Sequence, residues 1–229
     1  CGRSNTKMVG MARSNFPSLP TFPTAGVVKI PSQVLRSMIA KTGFAIASEE
    51  SRYTLNGALM VLKPESITMV ATDGHRLAHI ERSVEKFAGV SGEMKTLVPK
   101  KAMDELKSLL DSTDAEEIEF AKDESTLFFR IGPRLLTSRQ LTGQFPNFEA
   151  VLPKDNNKSI TVHGEELTAA ISRVAQFADE RSRAVKMRLE KGELKLSASS
   201  TETGESEDSL EIDYNGDMIQ IGFNAQYLL

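Results

Sequence analysis

"KIPSQVL" at 29–35 and "LVPKKAM" at 97–103 share one pattern: an apolar residue, a proline, then residues with helical spacing. Proline fixes φ and lacks an N–H, so it is tolerated where a helix begins and costly further inside. Each stretch therefore reads as a strand feeding a helix opened by Pro at its first turn. A second pair follows the same order: "DGHRLAHIE" at 73–81 resembles "IGPRLLTSR" at 131–139, with Gly-x-Arg-Leu common to both. One half-unit, a strand, a helix and then several short strands, is thus written twice. "ALMVLK", "SITMVAT", "RLAHIER", "TLFFRI" and "RLLTSRQL" are short, rich in β-branched or aromatic residues and bounded by turn residues, as strands are. Few helices among many strands imply an α+β fold with helices packed on one face of the sheets.

A longer period encloses this one. "NFPSL" at 15–19 returns as "QFPNF" at 144–148, "KIPSQVLRSMI" at 29–39 as "TVHGEELTAAI" at 161–171, and "ASEESR" at 47–52 as "ADERSR" at 178–183. Three echoes in one order, at spacings of 129, 132 and 131 residues, indicate a duplicated domain rather than compositional bias. The expected organisation is a tail of a preceding copy at 1–20, a complete copy at 21–150 and the first half of another at 151–229. The opening, "CGRSNTKMVGMARSNFPSLP", then corresponds to the closing strands of a domain. The end, "GFNAQYLL", reads as a helix just beginning, so the chain is expected to be a piece of a longer protein.

The helical segments share a layout. Met103, Leu106 and Leu110 form a core stripe in 99–111, with Lys100, Lys101, Asp104, Lys107 and Asp111 elsewhere on its surface. In 31–42, Val34, Leu35, Met38 and Ile39 face inward, leaving Arg36, Ser37 and Lys41 outside. In 164–178, Leu167, Ile171 and Val174 form the stripe, with Arg173 and Gln176 outside. Spacing alone leaves two readings: an ordinary solvated face, as in a repeat scaffold that does not bind DNA, or equivalent helices offering Lys and Arg to one phosphate backbone. Net charge is −3, which argues against a surface coated with cations but not against one basic face.

Other classes have little support. No apolar run is long enough to cross a bilayer. The single cysteine, Cys1, cannot form an internal disulfide and suits a reducing cytosol. There is no phosphate loop, dinucleotide fingerprint, zinc spacing or nucleophile elbow. No cofactor or metal is expected: His75 and His79, four apart on a strand, would not bring both rings onto one ion. "TDGHRL" keeps two readings. Asp73 and His75 could form an acid/base pair, as in a hydrolase or phosphotransferase. Alternatively Asp-Gly marks a tight hairpin turn with Gly74 in the left-handed region.

"RYTLNGALM", "VATDGHRLA", "GQFPNFEAVLPK" and "IGFNAQYLL" closely resemble segments of the bacterial DNA polymerase III beta subunit family, the sliding clamps. The resemblance runs in order along essentially the whole chain. It implies a DNA clamp fold of three similar domains, sheets outside and helices inside, with two chains closing head to tail into a homodimeric ring. The implied activity is non-enzymatic: the ring encircles duplex DNA without sequence preference and gives a polymerase its processivity in the bacterial cytoplasm. Arg36, Lys41, Lys100, Lys101, Lys107 and Arg173 become the expected DNA-facing cations, and Phe177 the expected contact between ring subunits, with ordinary core as its other reading. The resemblance also implies a pocket for short peptides of the polymerase alpha subunit, the clamp loader and other clamp-binding proteins. Its residues would be Arg52, Thr54, Leu55, Thr72, Gly74, His75, Arg76, Leu77, Pro146 and Val151, with Asn224 and Tyr227. One departure is Ala150, where many relatives carry Arg, which should leave that rim less polar.

Overall fold

The computed structural model describes residues 2–49, 51–85, 87 and 89–229; Cys1, and Glu50 of the 47–52 echo, lie outside the described residues. The chain forms two compact units, Cys1–Ala150 and Val151–Leu229.

In the first unit the half-unit is present twice. The first consists of β1 (Val28–Pro31), α1 (Ser32–Thr42), β2 (Gly57–Lys63), β3 (Ser66–Thr72) and β4 (Leu77–Ser83). The second consists of β5 (Met94–Pro99), α2 (Lys100–Asp111), β6 (Glu117–Lys122), β7 (Thr126–Ile131) and β8 (Arg134–Arg139). The opening strands are exchanged. β1 joins the second half in a sheet ordered β1-β6-β7-β8, and β5 joins the first in a sheet ordered β4-β3-β2-β5. Both are antiparallel, with Pro31 opposite Glu117 and Pro99 opposite Gly57.

Those prolines are not in the first helical turn, as the sequence suggested. Each ends a strand with extended backbone and serves as the helix N-cap. The cross-strand ladder holds them extended, so the helix starts one residue later. The first helical N–H of each is then satisfied from the other half: Ser32 N–H donates to the Glu116 carbonyl (2.8 Å) and Lys100 N–H to that of Asn56 (2.9 Å). A helix start leaves such donors without intrahelical partners, so this bond stitches the exchanged strand to the meander it enters.

Both helices pack on the sheets in one core. Leu35, Met38, Leu106 and Leu110 meet Ile30, Met60, Phe120 and Phe129, all at most 1% exposed. Val34, expected inward, is only half-buried at the edge of this cluster. The opposite face of the β4-β3-β2-β5 sheet is also apolar. Leu59, Val61, Val70 and Leu97 are covered there by Leu141, Phe145 and Phe148 from the segment after β8.

Among the described residues before β1 no strand forms; Arg13–Asn15 makes one 3-10 turn. The expected closing strands are therefore not seen in 2–20. A strand exists through its ladder, and none of the described strands pairs with that stretch. The tail is held further on, where Phe22 meets Phe128 edge-on (6.2 Å) beneath the Arg130 guanidinium (4.1 Å).

The second unit contains α3 (Gly164–Ala175), β9 (Ala184–Glu190), β10 (Glu193–Ser200), β11 (Gly204–Glu211), β12 (Ile219–Asn224) and α4 (Ala225–Leu228). Its sheet runs β11-β10-β9-β12, the order of β4-β3-β2-β5 in the first unit. The same stitch recurs: Ala225 N–H, first in α4, donates to the carbonyl of Arg183, the residue before β9 (2.9 Å). Ala170, Ile171 and Val174 pack on Val185, Leu196 and Ala198. α3 is shorter than expected, ending at Ala175. Gln176 caps it, and Phe177 and Ala178 continue only as turns, donating to the Val174 and Ala175 carbonyls.

Candidate functional site

The "TDGHRL" stretch connects β3 to β4 through a four-residue loop, Asp73–Arg76, closed by the Thr72–Leu77 pair. Asp73 organises it. Oδ1 accepts from the N–H groups of His75 (2.9 Å) and Arg76 (3.0 Å), and Oδ2 from Arg76 Nε (3.1 Å). Thr72 completes the turn, its hydroxyl donating to the Arg76 carbonyl and accepting from Gly74 N–H. Partial burial pushes the Asp73 carboxyl up, but the two N–H donors and the Arg76 guanidinium outweigh it and hold the group below its ordinary range. The carboxylate thus serves the turn, using both oxygens on its donors. Gly74 sits at φ +89°, the left-handed position expected of it. The loop is longer than the two-residue hairpin that Asp-Gly suggests, because only one residue takes positive φ.

Two arginines fasten this loop to the segment after α1. Arg52 Nη1 donates to the Asp73 carbonyl (2.6 Å), and Arg76 Nη2 donates to the Phe44 carbonyl (2.7 Å). The Arg76 guanidinium lies 5.3 Å from the centre of the Phe44 ring, which is 57% exposed. Thr72 is buried and Leu77 half-buried against the Leu59–Val70 cluster. Thr54 lies against Gly143, where a Cβ would meet Thr54 Cγ2 at 2.7 Å. Leu55 is half-buried and bonded through its backbone to Arg52 and Ala47. Arg52, Gly74 and His75 are exposed around the loop. Pro146 is exposed on the covering segment, between Phe145 and Phe148; Phe148 stacks on His79 (5.6 Å). His79 therefore packs on an aromatic ring on β4, while His75 sits in the loop.

Of the expected pocket residues, Val151, Asn224 and Tyr227 belong to the second unit. Val151 is exposed, Asn224 caps α4 by accepting from Gln226 N–H (2.9 Å), and Tyr227 lies within that short helix. A cleft of about 740 Å³ in the first unit is lined by Leu59, Leu97, Leu141, Phe145, Phe148 and polar neighbours. Pro146 is the one expected pocket residue on its wall. Ala150 ends a 3-10 turn and is exposed.

The expected cations divide into two kinds. Arg36 donates to the Leu110 carbonyl and pairs with Asp111 (3.2 Å), so it ties α1 to the end of α2 instead of standing outside. Lys100 pairs with Asp104 (3.2 Å) and Arg173 with Asp208 on β11 (2.6 Å). Lys41, Lys101 and Lys107 are exposed and make no ion pair among the described residues. The outer face of α2 also carries Asp104, Glu105 and Asp111, so it is more evenly charged than the lysines alone suggest. Phe177 is half-buried just past the end of α3.

Phe44, Leu141, Phe145 and Phe148 were not among the site residues expected from sequence. For the last two a signal existed in the repeated Phe-Pro motif; Phe44 follows a helix and carries no motif. Among the described residues no cluster of three or more His, Cys, Asp or Glu could hold a metal ion. No helix among them is long and apolar enough to cross a membrane.

Comparison with known proteins places this geometry. Residues 29–147 match the model of the DNA polymerase III beta subunit central domain, and 149–229 that of its C-terminal domain. The beta sliding clamp of Chlamydia pneumoniae is 34% identical over the whole chain, and that of Pseudomonas aeruginosa 33%. The chain spans 61% of the length of each. Among solved structures, the P. aeruginosa clamp bound to griselimycin superposes with a TM-score of 0.88 at 32% identity, covering 95% of this chain and 58% of that one. The Caulobacter crescentus clamp gives 0.88 at 34%, covering 100% and 62%. With one family model covering more than half of the chain and a second most of the remainder, the protein belongs to the DNA polymerase III beta subunit family.

Proposed function

We propose that this chain forms part of a ring-shaped sliding clamp that encircles duplex DNA without reading sequence and tethers its polymerase. The single observation that carries this is repetition within a clamp family member: one half-unit recurs with the same sheet order and the same stitch at Ser32, Lys100 and Ala225. Copies of a unit that each place a helix on one side of a sheet can build a wall with helices on one surface. Attachment by enclosure needs no tight ionic grip, and a tight grip would oppose sliding. Lys41, Lys101 and Lys107, exposed on α1 and α2 with no carboxylate partner among the described residues, suit weak phosphate contact. Domain limits at 20 and 150, the homodimer and a Phe177 contact between subunits belong to this proposal, as does bacterial cytoplasm.

In the same proposal the Asp73–Leu77 loop and its apolar bed receive short peptides from the polymerase alpha subunit, the clamp loader and other clamp-binding proteins. Such grooves anchor one or two apolar side chains while nearby polar groups set direction. A hydrolase built on Asp73 and His75 has less support, since both Asp73 oxygens are occupied by the turn.

The test uses the full-length protein that contains this chain. Loaded onto nicked circular DNA, it should stay bound, and linearising the circle should release it. Equal retention on both forms would sink the ring.

A further inference from the structure

We infer that Phe44 is a positioning residue for the peptide-binding loop, a role that rests on the pocket reading above. The loop's own bonds, from Asp73 and Thr72, set its local turn and hold it to the end of β3, but do not tie it to the rest of the fold. Two longer bonds do that, and both come from the segment between α1 and β2: Arg52 holds the Asp73 carbonyl, and the Phe44 carbonyl holds Arg76. The second is reinforced by the guanidinium lying against the Phe44 ring.

Phe44 is otherwise hard to explain. It is a large apolar side chain, 57% exposed, between half-buried or buried neighbours in the 3-10 turn Gly43–Ala45. A residue needed for the core would be inside, and one with no task could be polar. Its ring gives Arg76 a flat surface, leaving Nε for Asp73 and Nη2 for the Phe44 carbonyl. A planar guanidinium can stack and donate together, which an ammonium cannot. Phe44 thereby fixes the arginine that stands beside His75 and Leu77, without itself needing to touch a peptide.

The experiment compares Phe44→Ala, Phe44→Leu and Phe44→Tyr in the full-length protein, with a labelled synthetic peptide carrying adjacent Leu and Phe as probe. Amide hydrogen exchange across Gly74–Leu77 is measured without peptide. Phe44→Ala and Phe44→Leu should speed exchange in that loop and weaken peptide binding roughly two- to fivefold, the worth of an exposed cation–π contact. Phe44→Tyr should restore both, and retention on circular DNA should be unchanged. Unaltered loop exchange in Phe44→Ala would overturn the inference, as would faster exchange with unaltered affinity. If the parent protein fails to bind the peptide while loop exchange still responds to Phe44, the pocket reading falls and the positioning of the loop stands.

Discussion

The Arg52 guanidinium donates to the Asp73 carbonyl at 2.6 Å and fills the space that a Cβ on Gly74 would need. Gly74→Ala therefore meets two penalties. Its φ of +89° is unfavourable for any L side chain, and the added methyl displaces Arg52. The expected loss of stability is about 1–2 kcal/mol from the backbone. Urea denaturation reads it, and peptide titration should show weaker binding alongside.

Arg36 and Lys107 should behave oppositely although both are helix cations. Arg36→Ala strips the Leu110 carbonyl and Asp111 of their partner and should cost about 1–3 kcal/mol in denaturant melts. Lys107→Ala should leave stability near the parent. Instead it should lower the slope of log affinity against log salt for DNA by about one unit. A salt slope untouched in a Lys41, Lys101 and Lys107 triple alanine variant would remove these helices from the DNA surface.

Acid should act through the carboxylates that cap turns. Asp123 accepts from Ser125 and Thr126 N–H, as Asp73 does from His75 and Arg76. Backbone donors hold Asp123 below its ordinary range, against a smaller upward push from burial. A carboxyl lowered in the folded state stabilises above the unfolded pKa, and that contribution is lost as pH falls through the folded value. The urea midpoint should drop on acidification below about pH 4. Asp73→Asn and Asp123→Asn, which keep an acceptor oxygen but cannot protonate in this range, should each make that drop shallower.

Leu106→Ala should cost about 2–5 kcal/mol, since Leu106 is 1% exposed where α2 meets the sheets. Thermal melting measures this. A value under 1 kcal/mol would mean that the site collapses around the deletion.

Much of this architecture was legible because it is repeated. Pro31 and Pro99 marked both strand-to-helix passages, and Met103, Leu106 and Leu110 marked a buried face by period alone. The placement of Pro as N-cap was not, because it depends on the ladder partners Glu117 and Gly57, remote in sequence. Strand β11, "GESEDSLE", was not among the strands expected: it is polar almost throughout, and its bonds to β10 make it a strand. At the loop, Asp-Gly announced a turn and Gly74 its left-handed residue. The Arg76–Phe44 contact spans 32 residues and has no local signal. Arg36 was misplaced for a similar reason: helical spacing gives its angle on α1 but says nothing of a second helix end within its reach.

The exchange of β1 and β5 bears on how the protein is made. As the chain leaves a ribosome, β1 must wait for residues 117–120 before any ladder can receive it, and the β2–β3–β4 meander stays unfinished until 94–99 emerge. Nascent chains stalled before β5 should then be captured by chaperones and cut readily by protease. Release past β8 should complete both sheets in nearly one step, giving this unit a late, abrupt birth rather than a gradual one.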